Sequence, residues 1–210
     1  MKSITAVLQP GMYYHIYNRG NNRENLFIEP RNYPYFLSLY EKHIDPIVDT
    51  YAYSLMRNHF HFAVRIKETS QVPGTCEVLK PFNPSHSFSN FFNAYAKAIN
   101  KGYGRTGSLF EERFGRIPVT STSYFETLIF YIHFNPQKHG FVDDFRDWYW
   151  SSYHTLICNS PTNLKRDEVQ RLFGGIQGFE DFHRGRLDER KLEPIIEKDF
   201  DAVTGIEDAA

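Results

Sequence analysis

The sequence predicts an α+β fold, an antiparallel β-sheet with helices packed on one face. Three observations predict it. Segments rich in aromatic and β-branched residues alternate with segments whose apolar residues recur at helical spacing. Two strand candidates are joined by only Met56, Arg57 and Asn58, which suits an antiparallel hairpin and is too short for a crossover. A chain of 210 residues, 41% hydrophobic and 23% charged, can bury one generous core.

Taken in order, residues 13–19 (YYHIYNR) read as a first strand, followed by a polar, turn-like stretch to Pro30. Residues 33–43 place Phe36, Leu37 and Tyr40 at helical spacing. Residues 49–55 and 59–66 are the two strands of the hairpin. Residues 68–86 hold Pro73, Gly74, Pro81, Asn83 and Pro84, and read as a long loop. A second helix spans 87–100, with Phe91, Tyr95 and Ile99 every fourth residue, and GYGRTGSL ends it. Residues 109–119 read as a strand and 123–134 as a helix that Pro136 stops. From about residue 159 the chain turns polar and acidic. The expected division is a domain of residues 1–158 and a small helical appendage with an acidic tail over 159–210, frayed from 199 onward.

Composition narrows the function classes without choosing one. No run of eighteen apolar residues occurs, and the start MKSITAVLQP is not a basic segment leading into an apolar one, so neither a membrane span nor a signal peptide is expected. Cys76 and Cys158 have no metal or disulfide spacing and fit a reducing cytoplasm. The net charge of −1 does not advertise a nucleic-acid binder. The charge is uneven, however. Lys97, Lys101, Arg105, Arg113 and Arg116 face only Glu111 and Glu112 within the same twenty residues, and phosphate contact needs a local basic surface, not a basic protein.

Two constellations carry possible chemistry. In His59-Phe60-His61 the imidazoles are two apart on a strand, so both project from one face, about 7 Å apart at Cα, and can converge on one divalent ion. Two unrelated surface or core histidines satisfy the same pattern. Residue 63 is Ala, which excludes a three-histidine H-x-H-x-H set, and no H-E-x-x-H is present. Tyr131 and Asn135 are four apart, one turn of a helix. A phenol can attack phosphorus and an amide oxygen can join two imidazoles around a hard cation. A core tyrosine and a helix C-terminal cap before Pro136 explain the same two residues.

The motifs MRNHFHF, GYGRTGSLFEERF, YIHFNP and WYWSSY follow one another in that order over about 100 residues. Together with YYHIYNRG they resemble the single-tyrosine HUH transposases, specifically the REP-associated tyrosine transposase branch. The resemblance runs from Tyr13 to Thr155, and the run from Glu168 to His183 resembles tails of some members. It implies a ferredoxin-like or RRM-like antiparallel sheet carrying the HUH motif on a central strand. It makes His59 and His61 metal ligands, Asn135 a third ligand, Tyr131 the nucleophile, and Mg²⁺ or Mn²⁺ the cofactor. Arg113 and Gly107-Ser108-Leu109 match a strand bordering the site; Phe110 stands where many members carry Trp.

The implied reaction is metal-dependent cutting and rejoining of single-stranded or hairpin DNA through a covalent 5′-phosphotyrosine. Lys97, Lys101, Arg105, Arg113 and Arg116 are the phosphate-contact candidates, with Tyr13, Tyr14 or Phe110 for base stacking. The other seven histidines are assigned no role. Two rivals share the motifs: a catalytically silent DNA-binding relative, and a rolling-circle replication initiator. Retention of all four site residues disfavours the first, and the absence of a G-x-x-x-x-G-K-[ST] loop disfavours the second. A monomer with its own tyrosine and a homodimer exchanging tyrosines both fit.

Overall fold

The structure, a computed structural model, describes residues 6–72 and 83–185. Strands β1 (Tyr13–Arg19), β2 (Val48–Leu55), β3 (His59–Ile66) and β4 (Gly115–Pro118) form one sheet in the order β2-β3-β1-β4. Every neighbouring pair is antiparallel. Helix α1 (Asn32–His43) joins β1 to β2, and α2 (Pro84–Gly102) precedes β4. That βαββαβ order with β1 and β3 inside is the ferredoxin-like arrangement, and it puts His59 and His61 on an interior strand.

Alternation along the strands divides the molecule into two layers. Tyr14, Ile16, Phe60, Phe62, Val64 and Ile66 point to one face, where Phe36 and Tyr40 of α1 and Phe91, Phe92 and Tyr95 of α2 complete a buried core. Tyr40 lies flat on Phe62 at 4.4 Å, and Phe36 meets Phe91 at 4.7 Å. In β2 a bulge between Thr50 and Ala52 adds one residue. The extra residue lets Tyr51 and Ala52 both join the second layer, while Tyr53 and Leu55 return to the first.

The second layer corrects the expectation of helices on one face only. Helix α3 (Thr122–Lys138) packs on the face that carries Ala63, and α4 (Tyr153–Ile157), α5 (Arg166–Leu172) and α6 (Ile176–Arg184) close over it. Phe125, Leu128, Ile132, Leu156, Val169 and Phe179 bury together there. Tyr51 donates its hydroxyl to Glu168 at 2.8 Å. His133 lies 2.9 Å from His183 and 2.8 Å from Ser152 Oγ. Both faces of this sheet are apolar, so both are covered.

Two element boundaries also differ from expectation. The strand expected over 109–119 is only Gly115–Pro118; Phe110 makes one isolated bridge to Gly20, and Leu109, Phe110 and Phe114 are apolar because their loop plugs the first core. Helix α3 continues through Pro136 to Lys138. A proline in the last turn removes only its own N–H bond, and the amides of His139 and Phe141 still reach the carbonyls of Asn135 and Pro136 at 3.0 and 2.9 Å. Of the expected loop 68–86, Thr69–Gln71 is a 3₁₀ turn and Pro84 already begins α2, capped by Asn83; residues 73–82, with Cys76, lie outside the described residues, as does the tail from 186. No helix among the described residues is long and apolar enough to cross a membrane.

Candidate active site

The site grows from one β-strand face and one helix. His59 and His61 project from β3 toward α3, where the Tyr131 ring stands 5.6 Å from the His61 ring, nearly perpendicular to it. Tyr131, His61 and Asn135 are buried. Asn135, one turn after Tyr131, donates its amide to the Tyr131 carbonyl at 3.3 Å and is part of the helix, not its cap. Its side chain neighbours His59 and favours the charged imidazole, although no hydrogen bond of ordinary geometry joins them.

Two further histidines complete a run of four imidazoles. On β1, His15 pairs in register with Ala63, which places it diagonally behind His61. Its Nε2 lies 2.9 Å from His61 Nδ1 and the rings stack at 5.1 Å. On the other side, His139 meets the His59 ring at 4.9 Å. Tyr17 flanks His61 at 5.9 Å, and its ring rests on the backbone of Gly115, where any Cβ would collide with it. Lys138 sits over the Tyr131 ring with Nζ at 5.1 Å; it is exposed at the end of α3.

Burial makes these imidazoles neutral at physiological pH. Loss of hydration holds His15 and His59 down at about 3 and His139 at about 4, and it puts His61 well below the ordinary histidine range, with its histidine neighbours adding to the effect. A neutral imidazole has one nitrogen lone pair to give. His59 Nδ1 is 2.7 Å from the Asn58 amide oxygen, which only accepts, so Nδ1 carries the proton and Nε2 the lone pair. His59 Nε2 and Asn135 Oδ1 are both buried acceptors without a hydrogen-bond partner among the described residues. Such a pair is costly unless a cation or a donor meets it. Among the described residues no group of three His, Cys, Asp or Glu side chains is arranged to hold a metal ion, so a cation here would rest on two imidazoles and an amide oxygen.

The structure gathers Tyr131, His59, His61 and Asn135 within a single chain. It does not gather the basic residues around them. Lys97 and Lys101 are exposed on α2, which covers the opposite face of the sheet. Arg105 pairs with Glu24 and holds Asn100 Oδ1 at 3.0 Å. Arg116 lies over Phe114 at 4.5 Å and donates to Ser85 Oγ at 2.7 Å, tying β4 to the start of α2. Arg113 is exposed, and with residues 107–109 it belongs to the loop before β4, not to a strand. Phe110 is 7% exposed, wedged among Phe92, Tyr95 and Phe60, which corrects its assignment as a base-stacking residue. Tyr14 is likewise core, its hydroxyl given to the Val7 carbonyl.

His15, Tyr17, Lys138 and His139 are the neighbours that sequence reasoning left without a role. For the last two a signal was present. Tyr131, Asn135 and Lys138 follow i, i+4, i+7 spacing, and His139 lies four beyond Asn135. Ending the helix before Pro136 hides that stripe. His15 and Tyr17 need the register of β1 against β3, which spacing within one strand does not supply.

No protein-family model matches the chain, and no curated protein matches it. Among solved structures it is similar to a REP-associated tyrosine transposase bound to a REP hairpin, with a TM-score of 0.58 and 17% identity over 77% of this chain and 89% of that one. The two share a fold.

Proposed function

We propose that this chain, built on the fold of a hairpin-bound tyrosine transposase, cuts and rejoins single-stranded DNA beside hairpins, with Tyr131 as its nucleophile. One observation carries the reading: His59, His61, Asn135 and Tyr131 meet on the same face of one sheet although 76 residues of sequence separate the first from the last of them. A core tyrosine needs no such company.

The Tyr131 oxygen attacks the scissile phosphorus, giving a 5′-phosphotyrosine and releasing the O3′, which leaves as a hydroxyl when it gains a proton. The phenol proton passes to a base. Attack by a second 3′-hydroxyl reverses the exchange and joins strands, one phosphodiester for another. His59 through Nε2, His61 and Asn135 through Oδ1 would hold Mg²⁺ or Mn²⁺, which supplies Lewis-acid polarisation of the phosphate oxygens when bound. His15 and Asn58 orient the two imidazoles from behind. Lys138, exposed at the end of α3 with Nζ 5.1 Å from the Tyr131 ring, is a cation placed to meet the incoming phosphate.

The test is covalent capture. The full chain is incubated with a labelled hairpin carrying a single-stranded flank and Mn²⁺, and an adduct that survives denaturant is sought. Wild type is expected to form it and Tyr131→Phe to lose it altogether. An adduct of equal yield in Tyr131→Phe, or none with wild type, overturns the reading.

A further inference from the structure

Beside the site, the run from Trp148 to Ser152 is sewn along the end of β2. Trp148 donates Nε1–H to the Leu55 carbonyl at 3.0 Å, Leu55 N–H donates to the Trp150 carbonyl at 2.9 Å, and Ser151 bridges to Ser54. Trp150 lies parallel to Tyr33 at 4.5 Å, and Tyr33 parallel to Phe27 at 4.3 Å, so three rings form a continuous stack against the β2–β3 turn. Both tryptophans are used by the fold. Tyr149 between them is not: it is 79% exposed, held edge to face against Trp150 at 4.8 Å.

This surface leads back to the site. Trp148 meets Phe141 at 5.6 Å, and Phe141 meets His59 at 6.3 Å. Asn58, which orients His59, and the exposed Arg57 belong to the same turn. Rings thus run outward from His59 through half-buried Phe141 to Trp148, and exposed Tyr149, next in the chain, rests on Trp150 along the same hydrogen-bonded backbone. The neighbourhood is not basic. Asp143 and Asp147 are exposed, and Asp144 is paired with Arg146. A flat aromatic face without excess positive charge suits a nucleobase better than a phosphate.

We propose that Tyr149, backed by Trp150, is a stacking platform for unpaired bases of the strand that runs to the His59–Tyr131 site. The proposal rests on the DNA-cutting reading and adds where the single-stranded flank lies. Stacking on Tyr149 is tolerant of base identity, because each base has a π-face. It contributes no phosphate contact, so it leaves the salt dependence of binding unchanged.

The experiment uses the full chain and two probes, a DNA hairpin with a purine single-stranded flank and the same hairpin with abasic sites in that flank. Binding is followed by fluorescence anisotropy at several salt concentrations. Tyr149→Ala is expected to weaken binding of the base-bearing flank by about 5- to 150-fold, confined to that probe and with the same salt slope. Tyr149→Phe should bind like wild type. Because the side chain is exposed, the thermal midpoint of either variant should match wild type, and that is checked first. Equal losses on both probes, a changed salt slope, or no loss overturns the platform. Adduct formation by wild type with no effect of Tyr149→Ala refutes the platform and leaves the cutting reading standing. Base-dependent binding through Tyr149 without an adduct does the reverse, and a wild-type chain that binds neither probe refutes both.

Discussion

His61 can face the site with a lone pair only if its Nδ1 keeps a proton, and His15 is the neighbour that bears on this. His15 Nε2 and His61 Nδ1 share one hydrogen bond across 2.9 Å, and in the tautomer in which His61 donates, its proton is held at Nδ1 and Nε2 is left for the site. His15→Phe retains a ring of similar size in the same buried place and removes the acceptor. The expected result is a 10- to 100-fold weaker affinity for Mn²⁺, read by titration of the full chain, and a matching fall in adduct yield. Unchanged Mn²⁺ affinity would show that His15 only fills space. At this scale the sequence was informative about some residues and silent on others. Strand alternation put His59 and His61 on one face and helical spacing put Asn135 one turn from Tyr131, but only the motif resemblance joined the two pairs into one candidate site. Phe110 was misread because an aromatic residue beside basic ones looks the same in sequence whether it faces solvent or core. His15 was invisible for a different reason, since its partner is 46 residues away and only strand register brings them together.

Helix α6 is fastened to α3 by a histidine pair. His183 donates Nδ1–H to the Phe179 carbonyl at 2.8 Å, and its Nε2 meets His133 Nδ1 at 2.9 Å. Burial pushes His183 down to about 4 and His133 well below the ordinary range, so both are neutral in the folded protein. In the unfolded chain each titrates near 6.5. Their contribution is therefore complete above pH 6.5 and is withdrawn as pH falls toward 4, at up to about 1.4 kcal/mol per pH unit for each. Urea unfolding between pH 7 and 4.5 should show a slope to which this pair and the four buried histidines of the site all contribute, and His183→Phe should flatten it by about one proton's worth. A variant slope equal to wild type would mean the pair does not titrate on unfolding. Element boundaries were legible where local chemistry sets them. Strands β1 and β3 and the end of α1 match their apolar patterns to the residue. They were not legible where tertiary packing overrides local preference, as in the passage of α3 through Pro136 and the reduction of the fourth strand to four residues.

Across the whole molecule, two cores back to back share one sheet, and the residues after 158 finish the second of them. Val169 and Phe179 are completely buried against it. A chain cut to residues 1–158 is expected to lose cooperative unfolding and to bind a hydrophobic dye, because the apolar side chains of α3 and α4 that α5 and α6 cover would be left open. A sharp unfolding transition in that fragment would show the segment to be dispensable. Charge and composition could not have announced this, since residues 159–185 are polar on average and bury only Val169, Phe179 and His183. The enclosure of Tyr131 has a consequence at the same scale, and it concerns time. With none of its surface open to solvent, Tyr131 would, on the proposed reading, meet a phosphate only after the enclosure around it opens, as by lifting the end of α3. If lifting costs about 3 kcal/mol, the nucleophile is reachable for roughly one part in a hundred of the time. A strand that brushes past leaves before such a moment arrives, whereas one anchored by its hairpin waits for it. On the proposed DNA-cutting reading, selection would then fall on how long a DNA stays, a dwell-time filter against strands that only pass.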